Sequence, residues 1–292
     1  MRFEIRHLTA YEYDHEVSLS HHLARLTPRE LGPQHCLTHR IETTPTAAST
    51  STHIDHFGNA ATFLTIESPH RRLEITAHSI LEVGTIALVP AEETPLWESI
   101  RDQFNAETER APADVAEFVF PSPLLPQLDE LAEYAQPSFP VGRTILAGAK
   151  DLCARIHQEF SFDPRATTVG TSLEEFFRNR RGVCPDFAHL MIGCLRALGL
   201  PARYISGYLE TAPPTGQVKL VGADASHAWV AVWCGAAGWQ DLDPTNNVQP
   251  TERHLTLAWG RDFADVSPVH GVVVGGGNHR LLVAVDVISV TS

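Results

Sequence analysis

RRGVCPDFAHLMIGCLRALGLPARYISGYLE, residues 180–210, contains the change from helix to strand on which the fold turns. Phe187, Leu190, Met191, Cys194, Leu195 and Leu198 recur at the spacing of one buried helix face. Pro185 suits the first helical position, where its missing N–H removes nothing and its fixed φ helps. Cys184 then falls at the N-cap. Unpaired backbone N–H groups and the positive end of the helix dipole favour a thiolate there and could steady an oxyanion. Asp186, a carboxylate in the first turn, opposes this slightly. Cys194 lies on the apolar stripe, where cysteine behaves as a small hydrophobe. Position alone leaves Cys184 evenly divided between nucleophile and core filler.

Downstream of Gly199–Pro201 the period returns to two, in YISGYLE, SHAWVAVWC, GWQDLDPT and finally HRLLVAVDVISV after a GGGN turn. In SHAWVAVW, His227, Trp229, Ala231 and Trp233 share one face. The CGAAG stretch reads as a hairpin loop, so the two flanking strands are antiparallel neighbours. A thiolate nucleophile needs a base, and the base an orienting acceptor. His227 is a candidate base, and Asp241 or Asp243 on the second strand a candidate orienter, since residues two apart share a face. Asp243 also reads as an Asp-Pro turn starter.

Upstream, RTILAGAKDLCARIHQEF carries Ile145, Ala149, Leu152, Ile156 and Phe160 on a helical stripe. TSLEEFFRNRRG offers Thr171 with Glu174 at capping-box spacing, arginines in the last turn and Gly182 as the stop. Residues 91–140 are acidic and proline-punctuated, the pattern of a connector with two short helices. Residues 1–90 alternate as strands, most clearly in LEITAHSILEV, while Thr43–Thr52 reads as a loop. An N-terminal antiparallel β-sandwich-like domain is expected over 1–90, before an α+β unit of helices packed on an antiparallel sheet.

The 292 residues, 43% hydrophobic and 20% charged, suffice for a core without disulfides or metals. A formal net charge of −13 argues against nucleic acid and against an anionic membrane as partners. The N-terminus has no apolar signal region, and no run is long enough to span a bilayer. Five scattered cysteines without a CxxC pair suggest a reduced, cytoplasmic protein. A metal site of Cys184, His189, His227 and a carboxylate would need Cys184 and His189, five residues apart, as ligands on one helix face, and nothing resembles a calcium loop, so neither metal nor cofactor is expected.

The Gly-Val-Cys helix start, the His-Ala-Trp strand and the Asp-Pro-Thr strand end, in that order, resemble the core of the transglutaminase-like superfamily. That superfamily's fold is related to papain-like proteases and its triad is Cys-His-Asp. The resemblance puts the nucleophile at Cys184, the base at His227 and the orienter at Asp243, and passes over Asp241. RHLTAYEYDHEVSLSHHLARLTPRE, DHFGN and GRDFADVSPVHGVVVGGG are similar to segments flanking this core in a bacterial subgroup. It implies a catalytic core over 141–250, with C-terminal strands over 251–292 completing the fold. Pro185 departs from the glutamine that commonly follows the cysteine. The implied activity is thiol-dependent acyl transfer on a peptide, protein or small amide, first as a cysteine peptidase or amidase. The alternatives are a transglutaminase or amide synthase, and a silent partner-binding protein. Asp186, Trp229 and Tyr208 are candidate supporting residues. Arg261, Asp262 and Asp265 are expected to anchor the C-terminal segment.

Overall fold

The computed structural model describes residues 1–105, 112–166, 170–210 and 226–290. Its first half is built on one long strand, β1 (Arg2–Ala24), followed by β2 (Gln34–Thr44), β3 (Ser49–Ile54), β4 (Ala60–Ile66) and β5 (His70–Val83). These pair antiparallel in the order β2-β5-β1-β4-β3. Val17, Leu64, Ile66, Leu73, Ile75 and Ala77 form a buried cluster of their own within this layer. Of the stretch Thr43–Thr52 expected to be a loop, β3 takes residues 49–52 and the end of β2 takes 43–44. All six side chains of β3 are exposed, so no apolar alternation marks it.

The connector holds α1 (Trp97–Asn105), α2 (Ala113–Ala116) and α3 (Asp129–Ala135). It is no loose linker: Trp97, Ile100, Leu131 and Phe139 are buried in the main core. Next come α4 (Ile145–Glu159), β6 (Ser161–Phe162), α5 (Leu173–Asn179), β7 (Arg181–Gly182) and α6 (Cys184–Ala197). The cap of α5 is Ser172, one residue past the expected Thr171; its side chain accepts from Glu175 N. The helix stops at Arg180, whose φ of 55° is left-handed, two residues before Gly182.

The strands β8 (Ala202–Leu209), β9 (Ser226–Trp233), β10 (Trp239–Leu242) and β11 (His254–Gly260) form an antiparallel sheet in the order β10-β9-β8-β11. α6 packs on it through Leu190, Met191, Cys194 and Leu195, all buried with Val230 and Val232 of β9. β10 runs antiparallel to β9 from Trp239 opposite Trp233 to Leu242 opposite Val230, the expected hairpin.

After the short α7 (Phe263–Val266), β12 (Val269–Gly275) and β13 (His279–Val290) leave this sheet and pair with β1. Arg2 lies opposite Val290 and Tyr13 opposite His279. Thus the C-terminal strands are divided: β11 completes the core sheet, whereas β12 and β13 belong to the N-terminal one. Alternation announced the strands but could not say which sheet receives them. Phe3, Ile5, Leu81, Val285 and Val287 share a buried cluster with the α6 core, so the two layers meet across a common apolar interior.

Polar side chains finish this seam. Gln34 Nε2 donates to Thr256 O at 2.8 Å while its Oε1 accepts from Thr256 N at 2.9 Å. Asn59 treats Trp259 likewise, at 2.9 and 3.0 Å. Among the described residues no helix is long and apolar enough to cross a membrane.

Candidate active site

The start of α6 lies one residue earlier than expected. Val183 is the N-cap, Cys184 the first helical residue and Pro185 the second. Asp186 Oδ2 accepts from Val183 N at 2.8 Å, so this carboxylate closes the helix start. Gly182 makes room for it: a Cβ there would collide with Asp186 and with the Phe176 ring. Cys184 is partly exposed, and among the described residues no acceptor meets its backbone N–H.

Across from the helix start stands His227 at the beginning of β9. Its Nε2 lies 2.7 Å from Asp243 Oδ2, with Asp243 completely buried and His227 nearly so. Burial alone would lower the imidazole pKa. The hydrogen bond to Asp243 and the interaction with the Cys184 thiol outweigh it, together raising the value to about 10. With Nε2 taken by Asp243, Nδ1 is the nitrogen left for Cys184.

Asp243 collects five donors. Oδ1 accepts from Thr245 N at 2.9 Å and Asn246 N at 3.2 Å; Oδ2 accepts from His227, from Asn246 Nδ2 at 2.7 Å and from His254 Nε2 at 3.2 Å. The residue therefore starts a turn and orients His227 at once. Burial would raise its pKa, yet His227, His254 and Asn246 hold the carboxyl well below the usual carboxylate range. Asn246 and His254 escaped the sequence reading. Asn246 sits in the turn that Asp243 opens, whereas His254 arrives from β11 with no motif to mark it.

Asp241 has other partners, although it shares the face. Its Oδ2 accepts from Trp229 Nε1 at 2.9 Å, and burial raises its pKa against the pull of that bond and of Arg203. Trp229 is buried beside His227, ring centroids 6.2 Å apart, and meets His254 edge-on at 5.3 Å. Gly207, opposite His227 in the ladder, leaves space for this indole, since a Cβ would strike the Trp229 ring and Leu255 O. Tyr208 is turned elsewhere: its hydroxyl lies 2.9 Å from His7 Nδ1 at the seam with β1. The other cysteines of the core are withdrawn. Burial pushes the Cys153 and Cys234 thiols up to about 12 and Cys194 further still.

The ligand atoms of His227, Asp243 and His254 lie within 4.8 Å of one another, a spacing that could hold a metal ion. Their mutual hydrogen bonds occupy those atoms here. His189 is not part of the group; its Nε2 accepts from Phe263 N at 3.2 Å.

Arg261 forms a two-pronged pair with Asp265, at 2.9 and 3.1 Å. Asp262, wholly buried, accepts from Leu124 N and Ala264 N at 3.0 and 2.9 Å. Such bonds fasten the segment after β11 to the connector.

Comparison with known proteins adds a family to this geometry. A family model for the bacterial transglutaminase-like N-terminal region matches residues 3–82, and one for the transglutaminase-like superfamily matches residues 136–244. An uncharacterized protein of Mycobacterium tuberculosis is 37% identical over 298 residues, covering 98% of this chain and 92% of that protein. A protein-glutamine gamma-glutamyltransferase of Pseudomonas aeruginosa is 36% identical over 107 residues, covering 34% of this chain and 16% of that protein. The crystal structure of a candidate cysteine protease from Cytophaga hutchinsonii superposes with a TM-score of 0.79 at 21% identity, covering 100% of this chain and 91% of that one. The last of these supports the fold.

Proposed function

The chain belongs to the transglutaminase-like superfamily, and from that premise we propose that it is a thiol-dependent acyl-transfer enzyme acting on peptide or carboxamide bonds. Cys184 is the nucleophile, His227 the proton carrier and Asp243 the group that fixes the imidazole. The observation that carries this reading is His227 placed between a partly exposed thiol at a helix start and a buried, ionised carboxylate.

The thiolate of Cys184 attacks the substrate carbonyl, forming a C–S bond while negative charge moves onto the oxygen. The backbone N–H of Cys184 is available to steady that charge. Pro185 has no N–H to contribute, so the oxyanion site has fewer backbone donors than the helix start could otherwise supply. His227, cationic at rest, gives its proton to the departing amine as the C–N bond breaks. It then takes a proton from water as water attacks the thioester, and the C–S bond opens to restore the thiolate. Asp243 keeps Nε2 occupied, so that Nδ1 faces the reacting atoms.

Hydrolysis is the favoured outcome. Cys184 is partly exposed to water, and amine transfer requires a site that keeps water from the thioester. Amine transfer is the second reading, supported by the local likeness to a protein-glutamine gamma-glutamyltransferase. The substrate is a peptide, a protein or a small amide. Five unpaired cysteines fit a reducing cytoplasm.

The test compares wild type with Cys184→Ala on a casein or peptide library, with and without a primary amine. New N-termini that depend on Cys184 support the peptidase, and incorporated amine supports the transferase. Turnover that survives Cys184→Ala undiminished would overturn the mechanism.

A further inference from the structure

A cavity of about 580 Å³ opens beside the start of α6, bounded by Val183 and Pro185, the residues on either side of Cys184. Its remaining apolar walls include Leu124 and Leu128 of the connector, Leu173 and Phe176 of α5, and Phe263. These walls come from four separate parts of the chain, yet they are tied together. The buried Asp262 carboxylate accepts from Leu124 N, and Phe263 N donates to His189 Nε2 on α6. These bonds join three of the four parts, and Phe176 of α5 meets Phe187 of α6 with ring centroids 5.4 Å apart, so the walls form a preformed binding pocket.

Its charge is one-sided. Among the described residues Glu174 and Asp186 are its only acidic lining residues and no lysine or arginine lines it, although Glu174 is paired with Arg178 one turn along α5. His189 brings no compensating cation, because burial lowers its pKa to about 4. An anionic group entering this space would meet two carboxylates, one already paired with Arg178, and no lining cation among the described residues, in walls too apolar to solvate it.

We propose that this cavity receives an aromatic or long aliphatic side chain of a peptide acyl donor, next to the carbonyl that Cys184 attacks, and rejects an acidic one. The proposal rests on the acyl-transfer reading above: contact with both neighbours of Cys184 is what joins the cavity to the reacting carbonyl. It deepens that reading by assigning selectivity to residues 124, 173, 176 and 263, none of which belongs to the Cys-His-Asp group.

Binding separates the two claims. Cys184→Ala protein is titrated calorimetrically with N-acetyl tripeptide amides that differ at one residue (Phe, Leu, Lys or Glu), varied in turn at the residue supplying the carbonyl and at its predecessor. At one of the two positions Phe and Leu should bind at least about tenfold tighter than Glu, the effect expected from burying one such side chain. Leu124, partly exposed at the rim, provides paired variants in this background. Leu124→Glu should weaken the Phe peptide and favour Lys, and Leu124→Lys should shift the ranking towards Glu. Equal affinities for Phe, Leu and Glu at both positions would overturn the pocket assignment, as would a ranking that neither Leu124 variant moves. If the ranking holds while wild type shows no Cys184-dependent turnover of any peptide, the pocket stands as a ligand site and the acyl-transfer reading falls instead.

Discussion

The end of β10 carries two aspartates, one within the strand and one just past it, in closely matched settings that hold their protons differently. Asp241 and Asp243 share a face, both lie in the interior, and each is bonded to an aromatic ring nitrogen from β9. Asp241 accepts from one indole N–H, and burial raises its pKa. Asp243 accepts from five donors and is held in the charged form. What separates the two carboxylates is the count of donors aimed at each, since burial pushes both in the same direction.

Removing each in turn is the hardest test of that contrast. Asp243→Ala should lower kcat/KM by about 10⁴-fold, the scale reached when a triad loses its orienter. It should also cost stability in urea unfolding, because the imidazolium loses its buried partner. Asp241→Ala should cost about 1–3 kcal/mol through the unpaired Trp229 N–H, with activity reduced less than tenfold. Equal losses of activity from the two variants would break the comparison.

Next in size is the dependence on pH. His227 is raised to about 10, so the general acid it provides should persist to alkaline pH, and kcat/KM should fall on a limb near that value. Asp243→Asn removes the neighbouring charge and should move the limb towards the ordinary histidine range. A limb that stays in place would show that Asp243 does not set the imidazole. The stability signs are opposite for the two partners. His227 contributes fully below the ordinary histidine pKa and loses its contribution as pH climbs through about 10. Asp243 contributes above the ordinary carboxylate range and loses its contribution as pH falls into acid. Thermal unfolding followed across pH should show both edges.

Smaller effects sharpen the picture. His254→Phe deletes one donor to Asp243 while keeping a ring against Trp229. It should lower kcat by roughly tenfold at unchanged KM, the scale of one lost hydrogen bond to a charge. A change confined to KM would deny His254 its place behind Asp243. Smallest of all, Cys194→Ala should leave the alkylation rate of Cys184 by iodoacetamide unaltered, because Cys194 is sealed in the core with its thiol pushed up.

Much of this arrangement was legible in the sequence because it rests on local pattern. The apolar stripe that buries Cys194 is the same one that leaves Cys184 at the tip, and the CGAAG loop forces β9 and β10 to lie side by side. Spacing could not choose between Asp241 and Asp243; the Asp-Pro-Thr likeness pointed to the latter, and Asp243 is the one hydrogen-bonded to His227. What stayed hidden depends on distant contacts. His254 meets Asp243 only because β11 joins the sheet beside β8, and Tyr208 turns to His7 only because β1 lies across the seam. Likewise β3, exposed on both faces, gave periodicity nothing to detect.

The two amides at the seam have a consequence for dissecting the protein. In the order β10-β9-β8-β11, β11 is an outermost strand, and Gln34 and Asn59 occupy backbone groups of Thr256 and Trp259 along it. They act as a blunt guard against recruitment of a foreign strand. A core expressed without residues 1–90 would display that ladder bare, with Leu255 and Leu257 beside it, and should assemble into oligomers through strand addition.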